Sequence, residues 1–194
     1  MTAIANVSNG DDATETWPDS VADYLNGPAV LSAATGNITT SQTKVVSYTI
    51  AANTLAVGDI FMVQAMGVCT SSTSTVVTFR IRLGTNSLSG NIATANTPTA
   101  NNTASADPFW INGMVTVRSI GSSGTVHGGQ TLNGSSTQPF ASSTRTASGD
   151  PAGSTTSTVV IDTTATKLIE LTAVTAAGTT SVNFTQAAIW KVRP

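Results

Sequence analysis

The sequence contains little of the charge on which nucleic-acid-binding proteins depend. Charged residues make up 9% of its 194 residues, against about 25% in an ordinary soluble domain. The formal net charge is −2, and no basic stripe is present, so we expect no nucleic-acid partner. No segment approaches the length of about 18 apolar residues that a membrane-spanning helix requires, so no membrane partner is expected either. The N-terminus lacks the basic and apolar regions of a secretory signal, which predicts synthesis in a cytoplasm.

The side chains that carry catalysis and metal binding are also scarce. Cys69 is the only cysteine, which excludes a disulfide within the chain, and His127 is the only histidine. A single cysteine and a single histidine argue against zinc. The few carboxylates are scattered, and no local motif marks a serine beside His127 as a nucleophile. We therefore expect no catalytic, cofactor-binding or metal-binding residues, and we expect that the protein is not an enzyme.

What the sequence does contain is alternation of apolar and polar residues. The clearest case is the segment 75–83. Val77, Phe79, Ile81 and Leu83 fall on one side, and Thr78, Arg80 and Arg82 fall on the other. Because successive side chains of a strand point to opposite faces, this segment predicts a strand with one dry face and one wet face.

About eight segments of this kind, joined by turns rich in Gly, Ser, Thr and Asn, predict an all-β fold. They are residues 44–52, 59–69, 75–84, 109–119, 124–132, 156–162, 166–174 and 180–192. We expect an antiparallel jelly-roll β-sandwich of about eight strands over residues 44–194. Two long segments, 85–108 and 133–155, lack strand periodicity and are predicted to be loops.

The last of these strands has one irregularity. Val182, Phe184, Ala188, Trp190 and Val192 are predicted on one apolar face. Gln186 interrupts that face and would need a hydrogen-bond partner if it were buried. The pattern predicts that Trp190, like Trp110 on an earlier strand, lies in the core or in a subunit interface.

Residues 1–43 differ from the remainder and predict an extended N-terminal arm that contains a short helix. Trp17, Val21, Tyr24 and Leu25 are spaced so that they share one face of a helix that ends at Gly27. A helix of barely two turns is not stable alone in water. Its apolar face is therefore expected to dock on its own sandwich or on a neighbouring molecule.

Arg80 and Arg82 share the polar face of one strand in a chain that has only 8 basic residues. Two arginines on one face are candidates for contact with an acidic partner. A solvated strand face is an equally good interpretation. Together with Trp17, Val21, Tyr24 and Leu25, they form the predicted interface with a capsid protein or a neighbouring protomer.

Four segments resemble motifs of virion proteins of tailed bacteriophages. They are IAANTLAVGD at 50–59, TFRIRLG at 78–84, MVTVRS at 114–119 and QAAIWKV at 186–192. The resemblance covers about residues 44–193 and is to minor structural proteins with a jelly-roll domain. It implies a jelly roll that forms a homotrimer and an N-terminal arm that anchors it to the particle.

The expected function is that of a capsid decoration, or cement, protein. Such a protein would be made in the host cytoplasm, bind the major capsid protein as a trimer on the outer surface of the virion, and stabilise the shell without a cofactor. The alternative is a head or tail fibre or spike component whose jelly roll binds a host glycan through the segments 85–108 and 133–155. A chain sealed into an assembly suits the low charge, because Ser and Thr cost less to desolvate than Lys or Glu.

Overall fold

The computed structural model describes residues 29–134, 139–140 and 159–192, and these residues form ten strands and no helix. The strands are β1 Ala29–Val30, β2 Thr43–Ile50, β3 Ile60–Ser71, β4 Val77–Gly84, β5 Asn91–Asn96, β6 Asp107–Ser119, β7 Gly124–Gly134, β8 Val159–Ile161, β9 Lys167–Thr175 and β10 Thr180–Val192. The predicted helix at residues 17–27 lies outside the described residues. No helix of the described chain is long and apolar enough to cross a membrane.

The strands form two antiparallel sheets that pack face to face. One sheet has six strands in the order β1-β10-β3-β6-β7-β8, and the other has four in the order β2-β9-β4-β5. Every neighbouring pair in both sheets is antiparallel. The all-β sandwich predicted from the alternation is confirmed.

The core between the sheets contains all five phenylalanines of the chain. Phe79 from the four-stranded sheet packs against Phe109 and Phe184 from the six-stranded sheet, with ring centroids 5.4 and 6.0 Å away. Phe140 completes this cluster from the segment beyond β7, and Phe61 lies beside Tyr48. Offset and edge-to-face rings of this kind stabilise a core beyond the apolar area that they bury.

The strand with the clearest alternation behaves as predicted, except that Thr78 of the predicted wet face is only 9% exposed. On β4, Val77, Phe79, Ile81 and Leu83 are at most 1% exposed. Arg80 and Arg82 point away from the core and are half-buried. The eight strand patterns are also recovered, with two additions. The two-residue β1 lies in the predicted arm, and the segment 85–108 contains β5, which pairs with β4. Most of the other predicted loop, 133–155, lies outside the described residues.

The closing strand differs from the prediction because of a β-bulge. The pairing of β10 with β3 shifts register between Phe184 and Gln186. A bulge adds one residue, so every later side chain moves to the opposite face. Ala187 and Ile189 therefore point into the core, and Gln186 and Trp190 point outward. The bulge removes the buried glutamine that the sequence suggested and places Trp190 outside the core.

The segment 50–59, the first of the resembling motifs, forms a turn tied to the end of β10. Asp59 is 2% exposed, accepts a hydrogen bond from the Ala56 amide at 2.7 Å, and forms an ion pair of 3.0 Å with Lys191. Gly58 has a φ of +94°, a conformation in which a side chain would be strained. These residues therefore hold the β2–β3 connection against β10.

Part of the predicted arm lies along the sandwich. β1 pairs with the outer edge of β10, and Ile38 bridges Val182 and is 2% exposed. Residues 29–38 are thus attached to the six-stranded sheet by backbone hydrogen bonds such as Leu31 N to Ala187 O at 2.8 Å, and Thr39 accepts one from Thr175 of the four-stranded sheet. The remainder of the arm, including Trp17, Val21, Tyr24 and Leu25, lies outside the described residues.

Candidate interaction surface

The outer face of the six-stranded sheet carries large apolar side chains. We call Met62, Met66, Trp110, Met114 and Trp190 the Met–Trp face. Met66 is 49% exposed, Met114 46% and Trp110 38%, and Met62 and Trp190 are half-buried. Every methionine and tryptophan of the described chain thus lies on one surface.

Strand register brings these side chains into two rows across the sheet. In the first row Trp190 lies opposite Met62, and Met62 lies opposite Met114. In the second row Met66 lies opposite Trp110, and Trp110 lies opposite Asn133. Side chains directly opposite each other on one face are in contact range. Each row is therefore a set of neighbouring side chains rather than isolated exposed residues, and the two rows share one face of the sheet.

The polar residues between and beside these rows are mostly uncharged. Gln64 and Asn112 lie opposite each other between the rows, and Thr131 continues their row onto β7. His127 and Arg118 lie near one end of the face. A surface of Met, Trp, amide and hydroxyl groups costs little to desolvate compared with one of Lys and Glu.

A shallow groove runs along the β1 edge of this surface. It has a volume of about 340 Å³ and is lined by Val30, Leu31, Gln64, Met66 and Ala188, among others. Val30 is 61% exposed. The groove also includes the small side chains of Ala187 and Ala188, and its volume is enough for an inserted apolar side chain.

The outer face of the four-stranded sheet is different. We call Arg80, Arg82 and Glu170 the Arg–Glu face. Glu170 is 1% exposed because the loop after β4 folds over it. Its carboxylate accepts hydrogen bonds from the Ser87 hydroxyl at 2.7 Å and the Leu88 amide at 2.8 Å.

Arg82 is held in the same arrangement. Its guanidinium donates to the Gly90 carbonyl at 3.0 Å and to the Gln42 side-chain oxygen at 3.2 Å. Burial lowers the pKa of Arg82, the positive charge of Arg80 lowers it further, and the negative charge of Glu170 raises it. Two of its donors are therefore engaged within the chain, which leaves fewer of them for the acidic partner that the sequence suggested.

Only some of the residues predicted to form the interface lie in the part of the chain that the structure describes. Arg80 and Arg82 share a face as predicted. Trp17, Val21, Tyr24 and Leu25 lie outside the described residues, so their role stays a prediction. The Met–Trp face was not predicted as a site. The sequence did contain one indication of this face. β3 has large apolar residues on both of its faces, with Phe61 and Val63 on one and Met62 and Met66 on the other.

The side chains able to bind a metal do not cluster in the part of the chain that the structure describes. No cluster of three or more metal-ligating side chains occurs within residues 29–134, 139–140 and 159–192. Cys69 is fully buried, and burial, with the nearby charge of Asp107, raises the pKa of its thiol to about 12. Because the thiolate is the reactive form, Cys69 is a packed and unreactive side chain.

Comparison with known proteins adds one distant similarity. No protein-family model matches the chain, and no curated protein matches it. Among solved structures, it is similar to one described as the CBM2 module of the evolved Dit of Lactobacillus casei BL23 phage J-1. The two share 11% identity over 82% of this chain and 74% of that chain, with a TM-score of 0.30. A TM-score this low does not establish a common fold or a common function.

Proposed function

We propose that the protein is a structural component of a tailed-bacteriophage virion and that it assembles through its Met–Trp face. The observation that carries the proposal is this face itself: Met66, Trp110 and Met114 are each more than a third exposed on one face of the sheet. Large apolar side chains grouped on one face of a soluble domain mark a surface that another molecule covers. Met and aromatic residues are enriched in such interfaces.

We further infer that the sandwich is a jelly roll with two added strands. The order β1-β10-β3-β6 and the order β2-β9-β4-β5 are the two four-stranded halves that an eight-stranded jelly roll contains. In both halves strands distant in sequence lie side by side, as Greek-key connections require. β7 and β8 extend the first half beyond β6. This topology supports the resemblance of residues 44–193 to phage jelly-roll proteins.

Within the virion, we propose a decoration, or cement, protein that forms a homotrimer on the outer surface of the capsid. Trimers would bury the Met–Trp face between copies, and the predicted arm would bind the major capsid protein or a neighbouring protomer. The low charge of the chain supports this role, because a surface without many Lys and Glu is readily enclosed in an assembly. The role needs no catalysis and no cofactor.

The first test is the copy number of the chain in intact virions, measured by gel densitometry against the major capsid protein. A decoration protein is expected at a copy number comparable to that of the capsid protein. A few copies per particle would contradict this role and favour a fibre.

A second test adds purified protein to expanded capsids that lack it. Protein without residues 1–27 should fail to bind, and retained binding would refute the anchoring role of the arm.

The alternative function is a fibre or spike component that binds a host glycan. The observation in its favour is the exposure of Trp110 beside the Asn133 amide on β7. A flat aromatic ring beside an amide is suited to stack on a sugar ring and to bind its hydroxyl groups. Trp110→Ala should abolish binding to host cells under this alternative. Under the decoration role, the same change should weaken trimers and leave host-cell adsorption of the phage unchanged.

A further inference from the structure

A second concave surface lies at one end of the sandwich, away from the Met–Trp face. We call it the end cleft, and it has a volume of about 290 Å³. One wall is the loop between β4 and β5, which contributes Thr85, Asn86 and Ser89. The other is the end of β8 and the start of β9, which contribute Asp162 and Lys167. The remaining lining includes Leu83, Val160 and Ile161.

The loop that forms the first wall is held in place from beneath. The buried Glu170 carboxylate binds Ser87 and the Leu88 amide, and Arg82 binds the Gly90 carbonyl. Leu88 has a φ of +64°, a conformation rarely found for a bulky residue and kept only where surrounding contacts enforce it. The wall is therefore fixed before any ligand arrives, which lowers the entropic cost of binding.

Lys167 supplies a positive charge at the cleft. Its residue is 9% exposed, and its ammonium group donates to the Thr85 hydroxyl at 3.1 Å. Within the part of the chain that the structure describes, no carboxylate lies within 4.0 Å of this ammonium group. An ammonium group has three N–H donors. Lys167 therefore has donor capacity left for a ligand.

Asp162 supplies a negative charge at the same cleft. Its Oδ1 accepts hydrogen bonds from the Thr164 hydroxyl at 2.6 Å and the Thr164 amide at 2.9 Å. These hydrogen bonds lower the pKa of Asp162, and the charge of Lys167 lowers it further. The group is thus a carboxylate at neutral pH, and its Oδ2 is left to accept from a ligand.

We propose that the end cleft binds a neutral, hydroxyl-rich ligand, namely a sugar residue of a glycan. A hydroxyl group donates and accepts, so neighbouring hydroxyls of one sugar satisfy the Asp162 carboxylate and the Lys167 ammonium together. The opposite charges of Asp162 and Lys167 offset each other, so neither an anionic nor a cationic ligand gains a net electrostatic attraction in the cleft. The apolar part of the lining, Val160 and Ile161, suits the C–H groups of a sugar ring. The site does not depend on the assembly proposed above.

The test is an NMR titration of the ¹⁵N-labelled protein. The neutral probes are the methyl glycosides of glucose, galactose, mannose and N-acetylglucosamine, and the anionic probes are glucuronate and inorganic phosphate. We expect saturable shifts of the Ser89 and Asn91 amides in the millimolar range with at least one neutral sugar and weaker shifts with both anions. No saturable shift with any neutral sugar, or tighter binding of an anion, would overturn the proposal.

Two variants locate the binding. Asp162→Asn and Lys167→Met should each weaken the binding of the responding sugar about tenfold, the usual loss when a charged hydrogen-bond partner is removed. Asp162 lies at the surface, so its replacement leaves the fold intact even if Lys167→Met does not. Lys44→Met, at an exposed lysine outside the cleft lining, is the matched control for Lys167→Met and should bind as the unmodified protein does. Trp110→Ala tests instead whether the sugar lies on the Met–Trp face. Loss of binding in Trp110→Ala alone would place the sugar on the Met–Trp face and refute the end cleft, whereas the copy number in virions tests the assembly role separately.

Discussion

The two outer faces of the sandwich differ in which side chains they bury and which they expose. On the four-stranded sheet, charged residues are drawn beneath a loop, and Glu170 is 1% exposed. On the six-stranded sheet, apolar residues are left at the surface, and Met66 is 49% exposed. The Arg–Glu face is thus completed by the chain's own loop, while the described chain leaves the Met–Trp face open.

The difference shows which side chains the protein covers with its own residues and which it leaves exposed. Burying a carboxylate is costly unless hydrogen bonds replace its water, and Ser87 and Leu88 provide them. The Met–Trp face has no such requirement, because apolar side chains gain free energy from any apolar cover. The Arg–Glu face is therefore completed within the single chain, and the Met–Trp face is the surface that a partner would cover.

The largest expected effect is on the Arg–Glu face. Glu170→Ala leaves the Ser87 hydroxyl and the Leu88 amide without their acceptor, so we expect the free energy of unfolding to fall by about 3 kcal/mol. Urea denaturation measures this change. Glu170→Gln keeps one acceptor oxygen and should lose less. Equal stability of Glu170→Ala and the unmodified protein would mean that the loop after β4 is not held by this carboxylate.

A smaller free-energy change, with a clear functional result, is expected on the Met–Trp face. The double variant Met66→Lys, Met114→Lys places charges on an exposed surface, so stability should change by less than about 0.5 kcal/mol per site. Self-association should weaken more than about tenfold, because charges are excluded from interface cores. Light scattering coupled to size exclusion measures it. Thr49→Lys on the exposed part of β2 is the control, and an unchanged trimer in the double variant would remove the Met–Trp face as the contact.

Oxidation compares the two sides of the six-stranded sheet itself. Mild peroxide should convert Met66 and Met114 to sulfoxides, since both are exposed, while the buried Cys69 with its raised pKa should remain a thiol. Peptide mass spectrometry reads the products. In intact virions the two methionines should be several-fold slower to oxidise than in isolated protein if a partner covers them. Equal rates would show that the face stays open in the particle.

The smallest expected effect is a loss of stability in acid. The Met–Trp face has no carboxylate that could titrate. Asp162, at the end cleft, does have one, and the Thr164 hydrogen bonds lower its pKa. A lowered pKa in the folded state favours folding above the ordinary value of about 4, and this contribution is lost as the pH falls through the folded value. Thr164→Ala should raise the pKa of Asp162 toward its ordinary value, as followed by NMR. An unchanged pKa would mean that Thr164 does not hold this carboxylate.

Much of the architecture was predictable from local pattern. The alternation on β4 placed Phe79 and Ile81 in the core correctly because period-two burial is a property of a single strand. The bulge at Phe184 and Gln186 was not predictable, since it depends on how β10 pairs with β3. Its consequence was an incorrect face for Trp190. The polar face of Arg80 and Arg82 was predicted, but the internal hydrogen bonds of Arg82 were not, because they depend on how the loop at Gly90 folds back and on Gln42, which precedes Arg82 by 40 residues.

Composition and alternation are enough to specify an all-β sandwich with little charge and few side chains able to catalyse or to bind a metal, because neither depends on distant contacts. Which apolar residues remain outside depends instead on pairing between strands that are far apart in the sequence. Phe and Met are both apolar in the sequence, but the register of β3, β6 and β10 directs Phe61, Phe109 and Phe184 inward and gathers the methionines and tryptophans of the described chain on the outer surface. Strand parity and one bulge therefore separate the core from the surface on which the proposed assembly depends.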